Sequence, residues 1–214
     1  MFMKKYVFLS LLGLVLGTAC TRPKQKQAEQ LDAAASRKDS VSVADIPEQK
    51  LVVPGAAVGM LDIGTDMQEI FQKLGKPDAG DAAMGRAWSV WYHPDSTSQV
   101  NDDELNLFSA YADSGMVKKE VRQIRVTSPE YRTDLGIGVG SPYEEMKKQY
   151  PAVREVQRLV NMRRGDTLVV YDDVQQGIAF DVCKRRVFAL TVHRRSTPMQ
   201  HGYLTLKPGW KPVR

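Results

Sequence analysis

Three histidines, His93, His193 and His201, are the only imidazole groups in this 214-residue chain. Imidazole acts as a general acid or base and as a metal ligand because its pKa lies close to physiological pH. No two of the three have the short spacing, as in H-x-x-x-H, that sets two ligands on one helix face. The sequence therefore predicts surface imidazoles, with no catalytic residue, no metal site and no cofactor.

Two acidic clusters, Asp102-Asp103-Glu104 and Asp172-Asp173, have the ligand type that hard cations prefer, but neither follows the D-x-D-x-D-G pattern of a calcium loop. Neighbouring residues on a strand point to opposite faces and do not chelate a cation naturally. We interpret both clusters as turn residues. The glycine-rich stretch "GIGVGS" at 136–141 lacks the G-K-[ST] ending of a phosphate loop and predicts a tight turn before a helix. These patterns predict that the protein is not an enzyme.

The two cysteines, Cys20 and Cys183, lie in very different surroundings. Cys183 stands between a strand-like run and Lys184-Arg185-Arg186, and basic neighbours of this kind can lower a thiol pKa and make it reactive. The alternative, which we favour, is a small, half-buried residue at a strand end.

The N-terminal segment has the three parts of a secretory signal peptide, covering residues 1–19. Lys4 and Lys5 precede an apolar run of eleven residues, 6–16, and small residues follow it. As a helix this run covers about half of a ~30 Å hydrocarbon core, too little to span a membrane. The sequence Gly17-Thr18-Ala19-Cys20 resembles the lipobox of bacterial lipoproteins, which implies cleavage before Cys20 and acylation of its thiol. The alternative is an ordinary signal peptidase site with an incidental cysteine.

Residues 20–50 are polar and rich in Ala, Gln, Ser and Lys, which predicts a flexible tether. As a coil, thirty residues span roughly 30 Å. A lipidated Cys20 would hold the protein at a membrane, because two or three acyl chains give stable anchoring. By analogy with the lipoprotein family, Thr21 after the cysteine fits sorting to the outer membrane.

The C-terminal part of the chain is strongly basic. The net charge is +5, and residues 182–214 contain eight Lys and Arg residues and no acid. Such a surface can meet anionic lipids, cell-wall polymers or an acidic partner, or its charges can simply be solvated. An exported chain meets little nucleic acid, so we exclude that partner class. The candidate interaction residues in this region are Arg185, Arg186, Arg194 and Arg195.

Two stretches, at 62–78 and 138–153, repeat one helix pattern. Each has a hydroxyl residue followed three places later by Gln68 or Glu144, which resembles a capping box. The apolar residues recur at helical spacing, and Gly75 and Pro151 should end the two helices. The aligned apolar residues are Met67, Ile70 and Leu74 in the first stretch and Tyr143, Met146 and Tyr150 in the second.

Strand-like runs follow each helix: "RAWSVWY", "LNLFSAYAD" and "VRQIRV", then "TLVVYD", "GIAFDV" and "RVFALTV". The segment after Pro151 is ambiguous, and we favour a strand that turns at residues 163–166. One helix followed by three strands, occurring twice along the chain, predicts an α+β fold of two tandem helix-plus-antiparallel-sheet units, 51–128 and 129–195. The two sheets could join edge to edge. A basic tail, 196–214, follows.

Trp88, Trp91 and Tyr92 form the densest aromatic cluster. Alternation sets Trp88 and Tyr92 on one strand face and Trp91 on the other. One face must be core, and the other is a candidate contact surface because exposed Trp and Tyr favour interfaces. The alternative is that both tryptophan rings are buried.

The residues Gly64, Thr65, Ile70, Leu74, Gly75 and Pro77 follow the G-(S/T)…L-G-x-P motif, and "IGTDMQEIFQKLGKPD" therefore resembles the BamE-like (SmpA/OmlA) outer-membrane lipoproteins. Two such units in tandem are similar to the β-lactamase inhibitory proteins. These resemblances imply an envelope scaffold or binding module without catalytic machinery.

We therefore expect a non-enzymatic cell-envelope lipoprotein, anchored to the outer membrane, that acts as a scaffold or protein-binding module in envelope assembly. The alternative is a lipoprotein that binds a soluble ligand, an inhibitor or a cell-wall component.

Overall fold

A computed structural model describes residues 46–93, 103–201 and 209–213. These residues belong to one compact unit, Ser40–Arg214. The predicted signal peptide, the lipidation residue Cys20 and the tether as far as residue 45 lie outside the described residues. No helix within the described ranges combines the length and the hydropathy needed to cross a membrane.

The described residues form thirteen strands, two α-helices and a short 3-10 turn, Glu48–Lys50. In chain order the elements are β1 (Leu51–Val53), β2 (Ala57–Val58), β3 (Leu61–Asp62), α1 (Met67–Leu74), β4 (Ala79–Ala83), β5 (Arg86–Tyr92), β6 (Glu104–Tyr111), β7 (Lys119–Val126), β8 (Arg132–Thr133), α2 (Tyr143–Gln149), β9 (Arg154–Asn161), β10 (Thr167–Asp173), β11 (Ile178–Cys183), β12 (Arg186–His193) and β13 (Trp210–Pro212).

Nine strands form one antiparallel sheet in the order β13-β9-β10-β11-β12-β7-β6-β5-β4. Strands β4–β7 and β9–β12 are two meanders, and β7 pairs with β12 where they meet. A second, four-stranded sheet has the order β3-β2-β1-β8, in which β1 runs parallel to β8. Part of the predicted C-terminal tail thus forms β13, an edge strand of the large sheet.

The prediction of an α+β fold made of two tandem helix-plus-sheet units is wrong. The structure is mostly β, because the two helices have only 8 and 7 residues and cannot form a layer comparable to the sheet. The predicted halves also share both sheets. The pairs Leu190↔Val126 and Leu51↔Arg132 each join a residue of one half to a residue of the other.

The local predictions agree better with the structure. All six strand-like runs form strands, β5, β6, β7, β10, β11 and β12, and the ambiguous segment after Pro151 forms β9 followed by a turn. Both helices form and end near Gly75 and Pro151. Gly64 and Gly140, which align in the repeat, have positive φ angles of 93° and 88°, a backbone conformation that favours glycine.

The capping boxes at Thr65 and Ser141 do not form. Asp66, one residue later, caps α1, and its carboxylate accepts a hydrogen bond from Gln68 N at 2.9 Å. At α2 the N-cap is Pro142, which has no side chain able to accept one, and Ser141 Oγ instead accepts from Gly138 N at 3.0 Å.

The large sheet has a helix face, covered by α1, α2 and the small sheet, and an opposite face that we call the polar face. The helix face carries the main core, which includes Ile70, Ile124, Met146, Phe180 and Leu190. On the polar face a smaller apolar cluster is centred on β9 and β10 and consists of Leu159, Leu168, Val170, Ala179 and Met199. Buried polar and charged side chains occupy the rest of the centre of that face.

Candidate functional site

The predicted aromatic cluster is divided between the two faces of β5. Trp91 lies on the helix face, 6.3 Å from the Phe71 ring, and its Nε1 donates to the Gly75 carbonyl at 3.3 Å. Trp88 lies on the polar face, 4.5 Å from the Phe108 ring. Both tryptophans are half-buried, so each ring supports the fold as well as reaching the surface.

Tyr92, which follows Trp91 in the chain, is 41% exposed. It lines a cleft of about 190 Å³ where β5 ends and β6 begins. Lys50 closes one side of this cleft, since its Nζ lies 2.6 Å from Glu130 Oε2 and 4.9 Å from the Tyr131 ring centroid. The hydrogen bond lowers the pKa of Glu130 and raises that of Lys50. The cleft thus combines aromatic walls with a rim of both charges.

Two of the predicted arginines lie beside the start of α2. Arg185 is in the β11–β12 turn, forms an ion pair with Glu144 and stacks 5.6 Å from the Tyr143 ring centroid. Arg186 Nη1 donates to the Gly140 carbonyl at 2.8 Å. Both side chains therefore hold the helix start against the sheet.

Arg194 and Arg195 follow the opposite end of β12, roughly 25 Å away along an eight-residue strand. Arg195 Nη2 donates to the Pro54 carbonyl at 3.2 Å. The four arginines consequently belong to two separate surfaces, and neither includes Trp91.

A buried ion-pair cluster lies at the centre of the polar face. Arg125 on β7 is fully buried and donates from Nε and Nη2 to Asp181 Oδ2 on β11, at 3.0 and 2.8 Å. Its Nη1 donates to Glu104 on β6. The cluster was not predicted, and Glu104 was interpreted as a turn residue. The structure shows that it begins β6 and is only 3% exposed.

A second buried pair, Asp172 and His193, contradicts the predictions of a turn residue and a surface imidazole. His193 Nε2 lies 2.9 Å from Asp172 Oδ1, and His193 Nδ1 lies 3.1 Å from the Arg194 carbonyl. Asp172 Oδ2 also accepts from Met199 N at 3.3 Å. The neighbouring Asp173 does serve a turn, since its Oδ1 accepts from Gln176 N at 3.1 Å.

Cys183 is separated from this pair. It lies opposite Leu168, whereas Asp172 lies opposite Ala179, so roughly 13 Å of strand lies between them. Burial raises the pKa of the Cys183 thiol, and the nearby Asp166 carboxylate adds to the effect. An inert, half-buried thiol fits this shift better than a reactive one.

The segment 197–201, which we call the strap, crosses the polar face after β12. Gln123 on β7 holds it through two hydrogen bonds: Gln200 N donates to Gln123 Oε1, and Gln123 Nε2 donates to the Gln200 carbonyl at 3.3 Å. Between the strap, β7 and the end of β12 lies a cleft of about 290 Å³, which we call the basic cleft. Its lining includes Arg122 and Arg194.

At the far edge of the large sheet, β4 is exposed along its whole length. Among the described strands it pairs with β5 alone. Four of its five residues are Ala or Gly, and the following residue, Met84, is fully exposed. A Cβ at Gly80 would lie 2.3 Å from the Trp88 carbonyl oxygen, so glycine permits the close approach of β4 to β5.

Across the described residues, no group of three or more His, Cys, Asp or Glu side chains is arranged to hold a metal ion.

Comparison with known proteins adds little to this description of the site. No protein-family model matches the chain, and no curated protein matches it in sequence. Among solved structures, the chain is similar to the uncharacterized protein yfeY from Escherichia coli, with 14% identity over 66% of this chain and 99% of that chain. The TM-score is 0.35, and at that value the likeness supports no conclusion about fold or function.

Proposed function

We propose that this protein is a non-enzymatic, lipid-anchored module of the cell envelope that binds another envelope protein by accepting one of its strands at β4. The observation that carries the proposal is the exposure of all five β4 residues at the edge of the nine-stranded sheet. An edge strand presents backbone N–H and C=O groups that no neighbouring strand uses, and extended peptides add to such edges in several classes of binding domain. On β4 the Ala82 N–H already donates to Asp81 Oδ1 at 2.8 Å, so the remaining backbone groups of the outer edge are the ones open to a partner.

The composition of β4 supports this use. Sheet edges are commonly protected by lysine, proline or a bulge, whereas β4 reads Ala-Gly-Asp-Ala-Ala and has regular pairing with β5. The small side chains leave room for the side chains of an incoming strand. The single charge, Asp81, disfavours pairing with a second copy of the same strand in a centred antiparallel register, because two carboxylates would then be opposite each other.

Apolar groups beside β4 add a surface for side chains of the partner. Phe71 and Leu74 on α1 are 43% and 37% exposed, and Phe71 lies against Trp91. Because only four residues separate the end of α1 from the start of β4, this apolar group lies near the start of the exposed edge. Exposed apolar groups of this kind commonly mark interaction sites.

The anchor belongs to the same proposal. Lipidated Cys20 would hold the chain at the outer membrane, and the predicted tether before the 3-10 turn at Glu48–Lys50 would let the folded part reach roughly 30 Å from it. Such an arrangement suits a scaffold that meets its partner close to a membrane surface.

The test is photo-crosslinking in intact cells, with a photoreactive residue at Ala82 on β4. We expect a specific adduct with an envelope protein, and we expect Ala82→Lys to abolish co-purification of that protein because lysine on an edge strand opposes strand addition. Val160 on β9 is the control, because it is half-exposed at a position that pairs with Thr167 on one side and with Lys211 on the other. Equal adducts from the two positions, or unchanged co-purification with Ala82→Lys, would contradict the proposal.

A further inference from the structure

We infer that the basic cleft is a second binding site, separate from β4, and that it binds a small carboxylate through Arg122 and Arg194. The cleft lies over β7 and the end of β12, whereas β4 is the edge strand of the sheet. Its volume, about 290 Å³, suits a group the size of an amino acid or the end of a peptide.

An irregularity in β7 directs Arg122 into this cleft. The register between β6 and β7 shifts after Phe108, which pairs with Gln123, while Ser109 pairs with Val121. Arg122 is thus the extra residue of a bulge, and bulges commonly redirect a side chain. The result is that Arg122, Gln123 and Phe108 all line one cleft.

Arg194 supplies a second guanidinium from the other wall. It is exposed, and its carbonyl is held in place by His193 Nδ1 at 3.1 Å and by Thr197 N at 3.3 Å. The turn that follows β12 therefore fixes the backbone at Arg194 while leaving its side chain at the mouth of the cleft.

The charge of the cleft favours an anion. None of the described residues that line it is acidic. Two carboxylates contact lining residues from outside the cleft: Glu120 Oε2 lies 3.5 Å from Arg122 Nη2, and Asp172 Oδ1 lies 2.9 Å from His193 Nε2. Arg122 Nη2 also donates to the Tyr111 carbonyl at 3.2 Å, so the other N–H groups of Arg122 and those of Arg194 are the ones that would meet a ligand. Guanidinium groups suit carboxylates because their N–H groups match the two oxygens.

The remaining lining groups define the rest of the ligand. The Phe108 ring offers an apolar wall and Thr197 offers a hydroxyl group, whereas the amide of Gln123 is already bonded to Gln200. A carboxylate carried on a small apolar body meets both. This chemistry belongs both to a free small acid and to the C-terminus of a peptide.

The test is calorimetric titration of the full mature protein in detergent with two matched pairs of probes: benzoate against benzamide, and acetyl-Gly-Gly-Phe against its amide. We expect each acid to bind at least about tenfold more tightly than its neutral counterpart, since charge-assisted hydrogen bonds are the stronger kind. Tighter binding of benzoate identifies a free acid as the natural class, and tighter binding of the peptide acid identifies a peptide end.

Arg194→Gln should remove most of the preference for the acids, and Arg194→Lys should retain part of it. Arg195→Gln is the matched control, because Arg195 is the adjacent exposed arginine and contacts Pro54 instead of the cleft. Equal binding of acids and neutral probes, or an equal loss in Arg194→Gln and Arg195→Gln, would overturn the inference. Neither result bears on strand addition at β4.

Discussion

Arg125 and Asp181 are joined across an intervening strand. They lie on β7 and β11, with β12 between them in the sheet, and two hydrogen bonds of 3.0 and 2.8 Å connect them. Ala189, the partner of Asp181 on β12, is small enough to leave room for the arginine to reach across. The contact therefore ties the first meander to the second in addition to the backbone pairing of β7 with β12.

Breaking this contact should destabilise the fold strongly. Asp181→Ala removes the partner of two buried guanidinium N–H groups, so we expect a loss of about 3–5 kcal/mol in the free energy of unfolding. The triple variant Arg125→Met/Glu104→Leu/Asp181→Leu should lose less, because it removes the buried charges together. Urea denaturation measures both.

The control for that series is Arg158→Ala, which breaks the exposed pair of Arg158 and Glu155 at 2.7 Å. An exposed pair contributes at most about 1 kcal/mol. If Asp181→Ala cost no more than Arg158→Ala, the buried cluster would have no special role in joining the meanders.

His201 should make stability depend on pH. Burial lowers the pKa of its imidazole below the usual 6.5, with His193 adding to the effect and Asp172 and Asp181 opposing it. The unfolded chain then binds the proton more readily than the folded one. Stability should accordingly be constant with respect to this group above about pH 6.5 and fall as the pH is lowered through that value.

The measurement is urea denaturation of the protein and of His201→Gln between about pH 7.5 and about pH 5.5. The variant should show the shallower pH dependence. Parallel curves for the two proteins would contradict the prediction, and His93→Gln, at an exposed position, serves as the control.

Cys183 should react slowly with thiol reagents in the folded protein. Its raised pKa leaves little thiolate at neutral pH, and the thiolate is the reactive form. In a Cys20→Ala chain Cys183 is the one remaining thiol. Its reaction with a chromogenic disulfide should be slower than that of a free cysteine peptide and should reach the peptide's rate in concentrated urea. A fast reaction in the folded state would favour the reactive thiol that its basic neighbours first suggested.

Cys20 should carry the membrane anchor. Mass spectrometry of the mature protein should find Cys20 at the N-terminus with acyl chains attached. Cys20→Ala should abolish the acyl mass and release the protein from membranes on fractionation. An unmodified N-terminus would instead support cleavage by an ordinary signal peptidase.

Patterns within a few residues predicted both helices and seven of the strands, but not β1–β4, β8 or β13. Alternation located β5 and β12, and helical spacing located α1 and α2, because both depend on neighbouring residues in the chain. The first cap was placed one residue early, at Thr65 instead of Asp66, since both side chains are common caps. The pairing of β1 with β8 depends on distant segments, and no local pattern indicated it.

For a related physical reason, the sequence could not predict that side chains at the centre of the polar face are buried. In "VRQIRV" the residues Gln123 and Arg125 occupy the positions that normally face water when one side of a sheet is core. Only the register, which sets Arg125 opposite Thr191, and the strap, which covers Gln123, place them inside. The bulge that directs Arg122 into the basic cleft is likewise visible only in the pairing of β6 with β7.

The pairing of β7 with β12 also sets the order in which the chain can fold. Four strands, β8–β11, separate these two strands in sequence. Closing so long a loop costs more configurational entropy than forming the adjacent hairpins, and it is correspondingly slow. The sheet is therefore completed only when nearly the whole chain has been synthesised, a delay that suits a polypeptide threaded across a membrane before it folds, as its proposed export requires.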